Sequence, residues 1–306
     1  VVTCLDKTDL LIIKELSINS RVPYRELADK MELSVTAVHK RIQALVAQGI
    51  IKKFITYPSP KIIPWIFISI EGRSEVNSLD TVIERLSKHP STERIGLASG
   101  NLLFIYGILP DVSEVKKYVD LVVREAKLVD PSISLRDESH LFGADSEKFT
   151  NMDYRILSAL IDDSRKQVVD VAMEIGVSVG TVRRRIERME KNRMIISSLY
   201  IDPASMGDVF AIVYLTIKKG IDQAEVTRSI QSRYEQNLLS IWAYDTLPGI
   251  ININVWAKSM TELNVIRDNL RKEELFEKIV PVIPYEIIYY DTWLTKHIRE
   301  KALSGK

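Results

Sequence analysis

Ser34-Val35-Thr36-Ala37-Val38-His39-Lys40-Arg41-Ile42 decides the fold, because the chain writes the phrase again 144 residues later as Ser178-Val179-Gly180-Thr181-Val182-Arg183-Arg184-Arg185-Ile186. Outward from it, Asp9 to Ile51 lies over Asp153 to Ile195 without a gap. Asp9, Ile12, Leu16, Ser20, Arg21, Ala28, Ser34, Val35, Val38, Arg41, Ile42 and Ile51 all meet identical residues. Elsewhere one aliphatic replaces another, as Ile13 with Leu157, Leu27 with Val171 and Leu45 with Met189. A register held over so long a stretch marks a duplication, and a repeat sets the architecture before any local reading.

Each copy reads as three short helices. Leu10, Ile13 and Leu16 recur at helical spacing in the first, which Asn19-Ser20-Arg21 ends. Pro23 opens the second, at a position where its missing N–H costs nothing. Glu32-Leu33-Ser34 makes a short turn. Ser34 then caps a third helix running to about Gln48, with Val38, Ile42 and Leu45 as its buried stripe. Gly49 ends it as a residue suited to a left-handed C-cap. In the second copy Ser178 is the cap, and Val182, Ile186 and Met189 are the stripe.

The opposite face of the third helix carries the chemistry. His39, Lys40 and Gln43 project outward in copy one, Arg183, Arg184 and Glu187 in copy two, where Arg185, Arg188, Lys191 and Arg193 add charge. A short helix after a tight turn, basic and exposed over its N-terminal half, suits the major groove. There its side chains reach base edges while its amides and cations meet phosphates. The expected contact set is Ser34, Thr36, Ala37, His39, Lys40 and Arg41 in copy one. In copy two it is Ser178, Thr181, Arg183, Arg184, Arg185 and Arg188.

From Leu5-Asp6 to Ile51, and above all in Ser34 to Ile42 with Leu45 and Gly49-Ile50-Ile51, the chain resembles the N-terminal domain of Lrp/AsnC (leucine-responsive, or feast/famine) regulators. The second copy is similar to the same motif and departs from it at Gly180 and at Arg193-Met194. The resemblance implies an α+β fold, with two winged helix-turn-helix domains alternating with two ferredoxin-like βαββαβ sensor domains. The divisions are 1–53, 54–148, 149–198 and 199–306. It further implies double-stranded DNA as partner, a small effector of the amino-acid class, and assembly into at least a dimer of the fused chain.

Pattern alone supports the sensor domains. Trp65–Ile70 is β-rich, Val76–Lys88 and Val115–Lys127 are helical, and Ile95–Ala98 and Leu102–Ile108 flank a Ser99-Gly100-Asn101 hairpin signal, with Ser132–His140 as a last strand. The second half repeats the order through Val209–Ile217, Ala224–Tyr234, Leu239–Tyr244, Ile250–Ala257, Met260–Leu270 and a final strand Val280–Tyr290. A charged helix follows from about Thr292 to Leu303. Trp65, Trp242, Trp256 and Trp293 fall in or beside strands and read as core. The family's effectors bind near the loops between the middle strands. That points to Ser99, Gly100 and Asn101 in the first half and Asp245, Thr246 and Gly249 in the second.

Composition bounds the remainder. Net charge is +1, distributed as +3, −3, +2 and −1 over 1–53, 54–150, 151–196 and 197–306, so two short basic modules alternate with two longer acidic ones. Cys4 is the lone cysteine, so no intrachain disulfide or multi-thiolate site forms. No apolar run approaches the ~20 residues of a membrane span, and the N-terminus lacks the pattern of a signal peptide. A cytoplasmic protein is expected. His39, His89, His140 and His297 are scattered without metal spacing, and no phosphate-cradling or nucleophile motif appears. No metal, cofactor or catalytic residue is expected, and the chain is expected not to be an enzyme. The rival from another class is a fused enzyme of the sirohaem-decarboxylase type, which shares the two-part architecture, with His140 and scattered Tyr residues as its candidates. A sensor or corepressor with one or both heads inactive is a third reading.

Overall fold

The computed structural model describes residues 5–136, 148–243 and 246–304. Each head is three helices: α1 (Lys7–Ile18), α2 (Tyr24–Lys30) and α3 (Val35–Ala47) in the first, and α6 (Asn151–Leu160), α7 (Val168–Ile175) and α8 (Val179–Lys191) in the second. The expected stripes are buried in both: Val38, Ile42 and Leu45 in α3, and Val182, Ile186 and Met189 in α8.

A strand follows each head, β1 (Ile51–Pro58) and β6 (Ile195–Ile201), and the two pair antiparallel. Phe54 lies opposite Leu199 and Ile55 opposite Ser198, so equivalent residues of the two copies exchange places about a pseudo-two-fold axis. Neither strand was expected from pattern. The divisions at 53/54 and 198/199 fall within β1 and β6.

The first sensor unit contains β2 (Ile66–Ser74), α4 (Leu79–Ser87), β3 (Thr92–Ala98), β4 (Leu102–Leu109), α5 (Val115–Ala126) and β5 (Leu128–Arg136). The second contains β7 (Val209–Ile217), α9 (Gln223–Arg233), β8 (Leu238–Ala243), β9 (Ile250–Ala257), α10 (Met260–Lys272) and β10 (Phe276–Val282). Strand orders β5-β2-β4-β3 and β10-β7-β9-β8 are the antiparallel ferredoxin-like arrangement in both. Of the expected strand Ser132–His140, the part beyond Arg136, His140 included, lies outside the described residues. Trp65 and Trp256 are buried, as expected.

One expectation is corrected. Val280–Tyr290 is not a single strand. It splits into β10, which pairs with β7 in its own sheet, and β11 (Pro284–Tyr289), which crosses to pair with β3 of the first sheet. Pro284, unable to donate to a ladder, is the first residue of the new strand, a position that proline tolerates. The last helix, α11 (Trp293–Leu303), then lies against α6, with Leu294 and Ile298 in the core of the second head.

The sheets face one another. Ala98 and Phe104 of the first share a core with Phe210, Ile212 and Trp256 of the second, and the Arg136 guanidinium lies 3.9 Å from the Trp242 ring centre. The core of the first head continues into Phe210, Ile212 and Trp256, whereas that of the second continues into Trp65 and Ile108. Each head thus also rests on the other copy's sheet. No helix among the described residues is long and apolar enough to cross a membrane.

Candidate nucleic-acid interface

The third helix of each head is started by its serine. Ser34 Oγ accepts from the Ala37 N–H at 3.1 Å, and Ser178 Oγ from the Thr181 N–H at 3.1 Å. This satisfies one of the four N–H groups left free at a helix start and leaves the others directed outward, where an anion is favoured. Gly180 does not interrupt α8, which runs through it.

Not all the expected basic residues reach the outer face. Arg41 turns inward, and its Nη1 donates to Asp6 Oδ2 and Asp9 Oδ1, both at 2.8 Å. Arg185 does the same in copy two, donating to Thr150 Oγ1 at 2.8 Å and Asp153 Oδ1 at 3.0 Å, and Arg188 Nη2 reaches Asp153 Oδ2 at 2.7 Å. These three arginines fasten the recognition helix to the N-terminus of the head's first helix, where Asp6–Asp9 and Thr150–Asp153 each form a capping box. Their guanidinium groups are thus engaged by the head's own first helix, while part of each side chain stays exposed. The repeat gave the clue, since Asp9 and Arg41 are both kept in the second copy.

The outer face that remains is narrower. In copy one Ser34, Thr36, Lys40 and Gln43 are exposed, Ala37 is half-buried, and His39 is half-buried with its ring edge-on to Tyr24 at 5.1 Å. In copy two Ser178, Arg183, Arg184 and Glu187 are exposed, and Thr181 is half-buried with its hydroxyl 2.9 Å from Ser178 Oγ. One head therefore offers a lysine and a glutamine, and the other two adjacent arginines.

Sequence reading missed the joint between the heads. Ser20 Oγ and Ser164 Oγ, equivalent positions of the repeat, meet at 2.6 Å. Arg165 donates to the Ser20 carbonyl at 2.5 Å, and Arg21 returns the bond to the Ser164 carbonyl. The Arg165 guanidinium also stacks 4.3 Å from the Tyr24 ring centre. Such an isologous contact is what a two-fold pair makes. The identity of Ser20-Arg21 with Ser164-Arg165 was its only trace in the sequence.

The expected effector loops are not brought together. Ser99, Gly100 and Asn101 form the exposed β3–β4 tip, with the Asn101 carbonyl accepting from the Ser74 N–H at 2.9 Å, at the end of β2 that pairs with Leu128. Thr246 Oγ1 instead accepts from the Leu135 N–H at 3.0 Å, toward the other end of β5. The Gly249 N–H is taken by Gln223 Oε1 at 2.8 Å, and Asp245 lies outside the described residues. A cavity of about 410 Å³ lies elsewhere, between β1, β11 and α11.

A winged helix-turn-helix DNA-binding model matches residues 5–52, and an AsnC-type helix-turn-helix model matches residues 149–190. The HTH-type transcriptional regulator LrpA of Pyrococcus horikoshii is 33% identical over 98 residues, which is 32% of this chain and 70% of that protein. LysM of Saccharolobus solfataricus, also an HTH-type regulator, is 44% identical over 50 residues, covering 16% of this chain and 35% of its own length. Over the whole chain, the siroheme decarboxylase NirDL superposes with a TM-score of 0.60 at 13% identity, covering 98% of this chain and 99% of that one. Its co-complex with an iron-uroporphyrin III analogue gives 0.59 at 14% identity over the same shares. That likeness is one of fold, and it reproduces the fused two-copy architecture. With two heads of one pattern and a relative one-third identical over most of its length, the chain belongs to the Lrp/AsnC-type family of helix-turn-helix regulators.

Proposed function

We propose that the chain is a sequence-specific DNA-binding transcription regulator, not an enzyme, whose two fixed heads read unequal half-sites. The observation carrying this reading is the pair of serine-capped helices with exposed, different polar faces: Thr36, Lys40 and Gln43 on one, Arg183, Arg184 and Glu187 on the other. Arginine suits the O6 and N7 of guanine, and glutamine suits adenine, so the second head favours a G-containing half-site. The joint and the β1–β6 ribbon hold the heads as one body, so binding needs half-sites one helical turn, ~34 Å, or a multiple apart. An effector acts by shifting the assembly or the spacing of the heads, and fused chains assemble at least as dimers.

The test is selection of bound DNA, followed by gel shifts over a salt series. Arg183→Ala with Arg184→Ala should weaken binding about 10–100-fold, and the log–log salt slope should fall by about one for each lost phosphate contact. Lys40→Ala with Gln43→Ala should relax selectivity in the other half-site. Affinity unchanged by either pair across the salt series overturns the assignment.

A second reading, an enzyme of the sirohaem-decarboxylase type, is favoured by the whole-chain superposition, which regulators matched over under half the chain do not provide. The two exposed, serine-capped basic helices favour the regulator over it. Visible spectra of the purified chain with and without sirohaem decide between them. A stoichiometric shift of the sirohaem bands with release of carbon dioxide establishes the enzyme, and unaltered bands leave the regulator.

A further inference from the structure

The crossing of β11 creates a site that neither copy has alone. Among the described residues β11 is an edge strand of the first sheet, bonded to β3 on one side only. The Tyr290 N–H donates to the Glu93 carbonyl at 2.8 Å, and Tyr289 lies opposite Arg94. In an antiparallel ladder hydrogen-bonded and non-bonded pairs alternate. Ile288 and Glu286 therefore bond toward β3, while the N–H and C=O groups of Ile287 and Tyr289 point the other way. On that side lies the cavity, about 410 Å³, lined by every residue from Glu286 to Asp291 and closed by Lys53, Ile55 and Tyr57 of β1, Ile161 and Thr295.

We propose that this cavity binds a short extended peptide of about three residues, which adds to the free edge of β11. The outward amide pairs of Ile287 and Tyr289 are two residues, about 7 Å, apart. A tripeptide matches them by bonding through its first and third residues, as strands do when added to an exposed edge. The volume is that of a small-ligand site, and the walls are apolar through Ile55, Ile161 and Ile288. Both charge signs are present at the rim, Lys52 and Lys53 from the ribbon and Glu286 and Asp291 from the strand side. Each charged end of a free peptide thus finds a counter-charge. Lys53 and Arg299 both hold Asp162, and Arg299 also holds Asp291, so a peptide carboxylate joins an existing network. The walls come from the head ribbon, the end of α6, α11 and the first sheet, so an occupant ties the heads to that sheet. This rests on the regulator reading, whose effector it supplies.

The experiment is calorimetric and thermal-shift titration of the full chain with the tripeptide Ala-Leu-Ala, its doubly N-methylated form and free leucine. The plain peptide should bind and raise the melting temperature, the N-methylated form should bind at least about tenfold more weakly, and leucine likewise, because each loses edge hydrogen bonds. Ile287→Pro deletes one outward N–H while sparing the β3 ladder and should weaken the peptide about tenfold, whereas Ile287→Val should not. Equal binding of plain and N-methylated peptides, or no binding of the plain one, overturns the proposal even if Ile287→Pro fails to fold. DNA affinity of the unliganded protein, measured in parallel, reports the regulator reading separately.

Discussion

Two equivalent backbone positions show how single residues have drifted within the duplicated frame. After α2 the chain turns through a left-handed residue, Glu32 (φ 55°) in copy one and Gly176 (φ 71°) in copy two. After the recognition helix the roles reverse, with Gly49 (φ 75°) in copy one and Arg193 (φ 50°) in copy two. Each head thus holds one glycine where the left-handed region is cheap and one side chain where it costs roughly 1–2 kcal/mol. Glycine's greater freedom in the unfolded chain offsets part of that. Arg193→Gly is therefore expected to stabilise the protein by about 0.5–1 kcal/mol in urea unfolding. A loss of stability would mean that the contacts of the Arg193 side chain outweigh the backbone strain. The departure at Arg193 was legible in sequence as a mismatch, and its conformational meaning follows from the repeat. The direction of Arg41 and Arg185 left only a faint trace, the retention of both Asp9 and Arg41 in the second copy. Composition shows a basic helix, but only the position of the α1 and α6 caps shows which arginines are already taken.

At the scale of the element, the clamp that seats each recognition helix is balanced differently in the two heads. One guanidinium, Arg41, serves two carboxylates in copy one, and two guanidinia, Arg185 and Arg188, serve one in copy two. Burial raises the Asp9 carboxyl, and the nearby Asp6 charge adds to that, against hydrogen bonds from Arg41. Burial also works to raise Asp153, but its bonds with Thr150 and the two arginines outweigh it, and the carboxyl lies below its ordinary value. A depressed carboxyl contributes fully above its unfolded pKa of about 3.9 and loses that contribution as pH falls through the folded value. Asp153→Asn is expected to cost about 2–3 kcal/mol near neutral pH, since it removes the carboxylate charge that Arg185 and Arg188, both about one-third exposed, share. The deficit should shrink toward pH 2, and a deficit independent of pH would show that lost packing, not charge, is responsible. The strands that join the heads were hidden for a physical reason. β1 and β6 pair with each other across the repeat, so no hairpin turn flags them, and their burial does not alternate cleanly. The crossing of β11 was hidden in the apolar run Val280-Pro281-Val282-Ile283-Pro284, where only the prolines mark a change of sheet.

At the scale of the whole molecule, the two sheets close on a layer that is not purely apolar. Glu71 of β2 sits in this seam, accepting from Ser69 Oγ at 3.0 Å, with Tyr214 on the facing sheet. Burial there pushes its carboxyl up, and the Tyr214 and Ser69 hydroxyls only partly counter it. The sign is opposite to that of Asp153. A raised carboxyl stabilises the folded state below its unfolded pKa of about 4.3, and that benefit disappears as pH rises through the folded value. Near neutral pH an ionised Glu71 is a cost to sheet-on-sheet packing, whereas a neutral amide of the same shape keeps an acceptor for Tyr214 without the charge. Glu71→Gln should therefore raise stability by about 1 kcal/mol at pH 7 and change it little at pH 4. Chemical denaturation of both proteins at the two pH values makes the comparison, and a variant weaker at both would show that the carboxylate is favourably held across the seam. Because each head also rests on the other copy's sheet, the same substitution should reach the heads. A tighter seam restricts their relative motion, so Glu71→Gln should sharpen the dependence of DNA affinity on half-site spacing at pH 7. An unchanged spacing profile in a stabilised variant would mean that the heads are held by the Ser20–Ser164 joint and the β1–β6 ribbon alone.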